Sequence, residues 1–164
     1  MKTLAMIVTR VTYNNLLQAC QIARTAVESG TRVSMFFRDE AVARLALDTV
    51  HELTFTEAYR GREVKVRNLL KERKLHDLPL LLRELKEKGD AKLSVCRDSM
   101  EFFDLPVEKL IPELDEVQRA EDGDRSDLRL LAGHRRAGGF RRRARQGRRA
   151  LLGRLLRDAR AGRR

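Results

Sequence analysis

Cys96 stands where an apolar run stops and a polar, helix-like run begins, in Lys92-Leu93-Ser94-Val95-Cys96-Arg97-Asp98-Ser99-Met100. The residues before it read as a short buried strand and those after it as the start of a helix. A thiol at that junction lies near unpaired backbone N–H groups, which favour an anion. Arg97 is adjacent. Both effects push a thiol toward thiolate, the form that attacks sulfur and carries it. An ordinary buried strand-end cysteine fits the same residues, because free cysteine is among the most buried residue types.

Other chemistries find less support. His51, His76 and His134 are scattered singly, with no cysteine or acid at metal-ligand spacing. No glycine-rich phosphate loop follows the first apolar run, where Thr9-Arg10-Val11-Thr12 stands instead. Ser-His-Asp catalysis has no local signature. The reading therefore calls for neither a metal nor an organic cofactor.

The elements that must position Cys96 alternate in type. Leu4 to Val8 is a continuous apolar run, as in a strand covered on both faces. Leu16, Cys20, Ala23 and Val27 then fall on one helical face, with Gly30 as the C-terminal stop. That stripe makes Cys20 a structural core thiol. Val33 to Phe37 is a second strand, and Asp39 is placed to cap a short helix reaching Leu47. Residues 48–64 are the least legible; Leu53 to Thr56 alternates, which suits a short strand or a loop.

Val66 to Lys88 reads as one broken helix or two, with Pro79 near the break. Leu93 to Cys96 is the third strand. A short helix follows Pro106, Pro112 ends it, and a last helix spans about Glu113 to Ala120. Ser126 to Leu131 closes the series as a final strand. Strands alternating with helices predict an α/β fold, a single three-layer domain over residues 1–132 with a mainly parallel sheet of roughly five strands flanked by helices.

Ligands of such sheets bind beyond the carboxyl ends of the strands. Three strand ends converge there, bringing Thr9 and Arg10, Arg38, and Cys96 with Arg97. The three arginines would make that rim cationic and able to bind an anionic substrate; the alternative is solvated arginines at loop starts. A rim position also predicts that replacing Cys96 by Ser leaves stability nearly intact.

Charge is unevenly spread over the 164 residues. Residues 1–132 hold 22 Lys and Arg against 23 Asp and Glu, a net of −1. Residues 133–164 hold 13 Arg, no Lys and one acid, a net of +12. The sequence pI of 10.4 therefore belongs to the tail, and it is no argument that the domain itself binds nucleic acid.

Three readings of this Arg/Gly/Ala-rich tail stand open. A shifted frame in GC-rich coding sequence yields these residues. A disordered arginine arm would neutralise phosphates of nucleic acid. A loosely helical form would put Leu151, Leu152, Leu155 and Leu156 on one face, suiting an anionic membrane surface. Met1 to Val8 is too short for a signal segment, and no apolar run approaches a membrane span. The expectation is a cytoplasmic protein with reduced thiols.

From Leu4 to Leu131 this order of elements resembles the DsrE/DsrF-like family of small sulfur-relay proteins, which includes DsrE-like and TusD-like carriers. The resemblance is carried by Leu93-Ser94-Val95-Cys96-Arg97-Asp98-Ser99-Met100-Glu101-Phe102-Phe103 and by Glu108-Lys109-Leu110-Ile111-Pro112-Glu113. Phe103-Asp104-Leu105 stands where family members often have glycine. The resemblance implies that Cys96 accepts and passes on sulfane sulfur as a persulfide, between donor and acceptor proteins. It also implies a homo-oligomer, often a trimer or mixed hexamer. A second reading keeps the scaffold without the chemistry, as a non-catalytic oligomeric binding module. Phe102, Phe103 and Leu105 then offer an interface, or simply the core face of a short helix.

Overall fold

The computed structural model of the chain describes residues 2–119. Strand β1 (Thr3–Val8) leads into helix α1 (Tyr13–Glu28), then strand β2 (Arg32–Phe37) and a single helical turn, α2 (Glu40–Ala43). Helices α3 (Glu63–Glu72) and α4 (Leu78–Lys88) precede strand β3 (Ala91–Cys96). Helix α5 (Arg97–Phe102) and strand β4 (Glu116–Gln118) complete the order. The four strands pair in parallel, in the order β1-β2-β3-β4.

Helix α1 forms where the apolar spacing places it. Leu16, Cys20, Ala23 and Val27 are all buried. Its end follows the glycine rule: Gly30 adopts φ 76°, its N–H donates to Val27 O, and Thr31 N–H donates to Ala26 O. Asp77 caps α4 by accepting from Leu80 N–H at 3.2 Å, with Pro79 in the first turn where its missing N–H is harmless. The helical stretch is therefore two helices. Gly89 lets α4 close on α1, since a Cβ there would lie 2.7 Å from Val27 Cγ1.

Register assigns each strand residue to a face. Leu4, Met6 and Val8 lie level with Val33, Met35 and Phe37, these with Ala91, Leu93 and Val95, and Val95 with Val117. All belong to the hydrophobic core or pack against it, together with Leu16, Cys20, Leu82 and Leu85 of α1 and α4. Ala5, Ile7, Ser34, Phe36, Ser94 and Cys96 stand on the other face, and none is part of that core. Among the described residues the protein thus has two packed layers, not three. The strand order explains it: right-handed connections that always step the same way across a sheet land on the same face.

Several expectations are corrected. Among the described residues there are four strands, not five. The helix expected over Glu113 to Ala120 is absent from the described part of that span; Glu116–Gln118 is the edge strand, with Val117 on the core face. Its entry is fixed by Asp115, whose N–H donates to Leu93 O while its carboxylate accepts from Leu93 N–H. The helix after Asp39 ends at Ala43, and Leu47 is exposed. Leu53 to Thr56 is loop, and the helix after Pro106 is one 3-10 turn, Val107–Lys109. The final strand over Ser126 to Leu131 and the arginine tail lie outside the described residues. No helix among those described is long and apolar enough to cross a membrane.

Cys20 is the structural thiol its stripe implied. It is 4 % exposed, and burial pushes its pKa up to about 12. Cys20→Ser should destabilise the fold by roughly 1–3 kcal/mol, because a hydroxyl would enter an apolar site. Chemical denaturation against the native chain measures this, and an unchanged midpoint would refute the placement.

Candidate functional site

Cys96 is the last residue of β3 and the residue from which α5 springs. Its backbone is extended (φ −75°, ψ 121°) and its side chain makes no capping hydrogen bond. Helix α5 has only six residues, so the dipole expected to act on the thiol is that of a short helix. The rim position is also corrected. Cys96 is 1 % exposed, buried on the sheet face outside the core.

The register brings some expected partners to it and leaves others apart. Cys96 lies level with Gln118 on β4. The β1–β2 ladder runs one bond past the strand ends, Arg38 N–H donating to Val8 O at 2.9 Å. Extending the β2–β3 register by that residue places Arg38 beside Cys96, and Thr9 beside Arg38. Thr9, Arg38, Cys96 and Gln118 thus form one row across the carboxyl end of the sheet. Arg38 is half-buried and its guanidinium lies 3.3 Å from the Asp39 carboxylate. Arg10 is exposed, two residues beyond β1. Arg97 is exposed and lines a shallow cleft with Met100, Leu105, Val107 and Val117. Val117 belongs to the helix-side face, so Arg97 lies off the row. The cationic rim reduces to Arg38. With strands in sequential order the sheet also has no point at which strand order reverses, the usual place for a ligand crevice.

Two residues without an expected part in the site tie it together. Asp39 follows β2 with φ 52° and ψ −137°, a conformation that turns normally give to glycine. Its side chain makes no cap for α2. Its N–H instead donates to Ser99 Oγ at 2.8 Å, joining the end of β2 to the first turn of α5. Ser99 is 1 % exposed. The spacing Cys96-x-x-Ser99 was visible in the sequence; the partner, a backbone N–H sixty residues away, was not.

The far end of α5 explains the departure at Phe103-Asp104-Leu105. Leu105 N–H donates to Met100 O and Asp104 N–H to Glu101 O, the bond pair of a glycine-type helix stop. Asp104 occupies the left-handed position, with φ 48°. Phe102 and Phe103 are exposed, while Leu105 packs against the core.

No family model matches the chain, and no curated protein matches it. Among solved structures, a protein of unknown function from Methanobacterium thermoautotrophicum aligns with TM-score 0.48 and 11 % identity, covering 82 % of this chain and 95 % of that one. A likeness at that level carries no argument about chemistry.

Proposed function

We propose that this chain is a sulfur-relay protein that carries sulfane sulfur as a persulfide on Cys96. The observation behind the reading is the placement of that thiol: the carboxyl end of a central strand, outside the packed core and in a row with Arg38. The Cys96 thiolate attacks the outer sulfur of a donor persulfide. A new S–S bond forms to Cys96, the donor's S–S bond breaks, and its electron pair leaves on the donor thiolate. An acceptor thiolate then attacks the outer sulfur in the same way and frees Cys96. Each exchange is redox-neutral. Arg38 supplies the charge that faces the anionic persulfide, and Thr9 supplies a hydroxyl beside it.

The test is incubation with a protein or small-molecule persulfide, followed by alkylation and peptide mass spectrometry. Sulfur loading adds about 32 Da, and it should appear on the peptide carrying Cys96. Loading on Cys20 alone, or on neither, would end the reading.

One observation favours the second reading, an oligomeric binding module. Ile7 is 56 % exposed and lies level with Phe36 on the sheet face that takes no part in the core. All-parallel sheets are ordinarily covered on both faces. A second copy of the chain seated there would supply the missing layer. Light scattering should then report an oligomer for the native chain and a monomer for Ile7→Lys, with an unchanged far-ultraviolet spectrum. A native chain that is already monomeric removes this reading and leaves the first untouched.

A further inference from the structure

A thiol that is 1 % exposed cannot meet a donor unless something moves, and the conformational detail around Cys96 points to what moves. Three non-glycine residues among those described have positive φ: Asp39, Lys74 and Asp104. Lys74 ends α3 as an ordinary helix stop, with Leu75 N–H donating to Leu70 O. The other two bracket α5. Asp104 forms the stop at its carboxyl end, and Asp39 holds its first turn through the bond to Ser99 Oγ. The helix has little else to hold it. Of its six residues Ser99 and Met100 are the buried ones, and Phe102 is 80 % exposed. The element next to the candidate thiol is therefore the shortest of the helices longer than a single turn, and it is secured by a backbone that stores strain.

We propose that α5 is a releasable cover for Cys96. It is held shut by the Asp39 N–H bond to Ser99 Oγ against the strain at Asp39, and its release exposes the thiol. The sulfur-relay reading gives the opening its purpose; the opening itself does not depend on sulfur chemistry. In the closed state Asp39 is kept in its strained conformation by the bond it makes. When α5 lifts away, Ser99 leaves and Asp39 relaxes, so the strain favours the open state.

Two substitutions that touch the same bond should therefore act in opposite directions. Ser99→Ala removes the acceptor and favours opening. Asp39→Gly keeps the donor N–H, removes the steric strain and favours closure. The measurement is iodoacetamide labelling of the native full-length chain, read separately at Cys96 and at Cys20 by mass spectrometry. Cys20, inside the core, reports global unfolding. Cys96 should label about fivefold faster in Ser99→Ala, the weight of one lost hydrogen bond. It should label about fivefold slower in Asp39→Gly, the weight of one relieved left-handed residue. Cys20 should not be accelerated in Asp39→Gly.

Equal changes at the two cysteines, or no change at Cys96 in either variant, would overturn the proposal. Asp39→Gly keeps every side-chain contact that holds the fold, so it carries the test alone should Ser99→Ala fail to fold. Labelling is done without a sulfur donor. Opposed shifts with no persulfide loading would leave the cover standing and remove the relay; loading with flat labelling would do the reverse.

Discussion

Cys96→Ser will take up no sulfur from a persulfide donor, while the native chain gains its adduct on Cys96 alone. The expected effect is complete loss, because oxygen in place of sulfur cannot form the S–S bond that carries the cargo. The substitution will also lower stability. Cys96 was expected at a rim, where exchange for serine is nearly neutral, yet it is 1 % exposed and faces a hydroxyl with a buried, partly apolar surround. A loss of about 1–2 kcal/mol follows from the desolvation of that hydroxyl. The two losses separate cleanly. Loading is measured at a temperature where circular dichroism shows the variant folded, so failure to load there reports chemistry. Arg38→Gln is the graded companion: it leaves the thiol in place and removes the one charge in its row, and loading should slow without being abolished. Loading that survives in Cys96→Ser would place the sulfur elsewhere and end the relay reading.

How far the sequence carried this description depended on how local each signal was. The stripe Leu16, Cys20, Ala23, Val27 and the stop at Gly30 are local patterns, and all appear where their spacing put them. The three longer strands are apolar runs with nothing else to become, and they pair in parallel as the alternation of elements implied. What failed was non-local. Glu116-Val117-Gln118 is three residues long with one apolar side chain, and only pairing with β3 makes it a strand. Strand order cannot be read from a single chain. It decided that the core would sit on one face, and it removed the crevice that had made Arg10 and Arg97 attractive. Asp39 reads as a helix cap because aspartate usually is one. Its positive φ is imposed by tertiary contacts and leaves no trace without a glycine to mark it. Asp104 shows the same effect, since the resemblance marked that position as one where glycine is usual.

Arg44→Ala will be the most destabilising single change outside the apolar core, although residues 48–64 were the least legible part of the chain. The Arg44 side chain is 6 % exposed. Its Nε donates to Val11 O at 3.2 Å and its Nη1 to Thr49 O at 2.8 Å and Glu52 Oε2 at 2.6 Å, while Nη2 donates to Thr54 Oγ1 at 3.2 Å. One planar guanidinium thus binds the β1–α1 connection and the whole of the 49–54 loop. That loop in turn serves α1. Thr54 O accepts from Tyr13 N–H at 2.8 Å, and Asn14 Oδ1 accepts from Thr56 N–H at 3.1 Å. Tyr13 is fully buried and its hydroxyl donates to Leu75 O, so the start of α1 rests on this loop and on the α3–α4 connection together. Removing Arg44 orphans acceptors at Val11, Thr49 and Thr54. Breaking a buried charged network typically costs about 3–5 kcal/mol. Here Glu52 is 57 % exposed and regains water, which places the expected loss near the lower end, about 3 kcal/mol. Glu52→Gln should then cost less than about 1 kcal/mol, because it deletes only the solvated partner. Arg44→Lys should recover less than half of the loss, since an ammonium cannot reach oxygens on both sides of a fork. Urea denaturation of the three variants orders these effects. An Arg44→Ala loss no larger than that of Glu52→Gln would mean that the loop is held by its backbone bonds alone, and that the arginine merely occupies the space they leave.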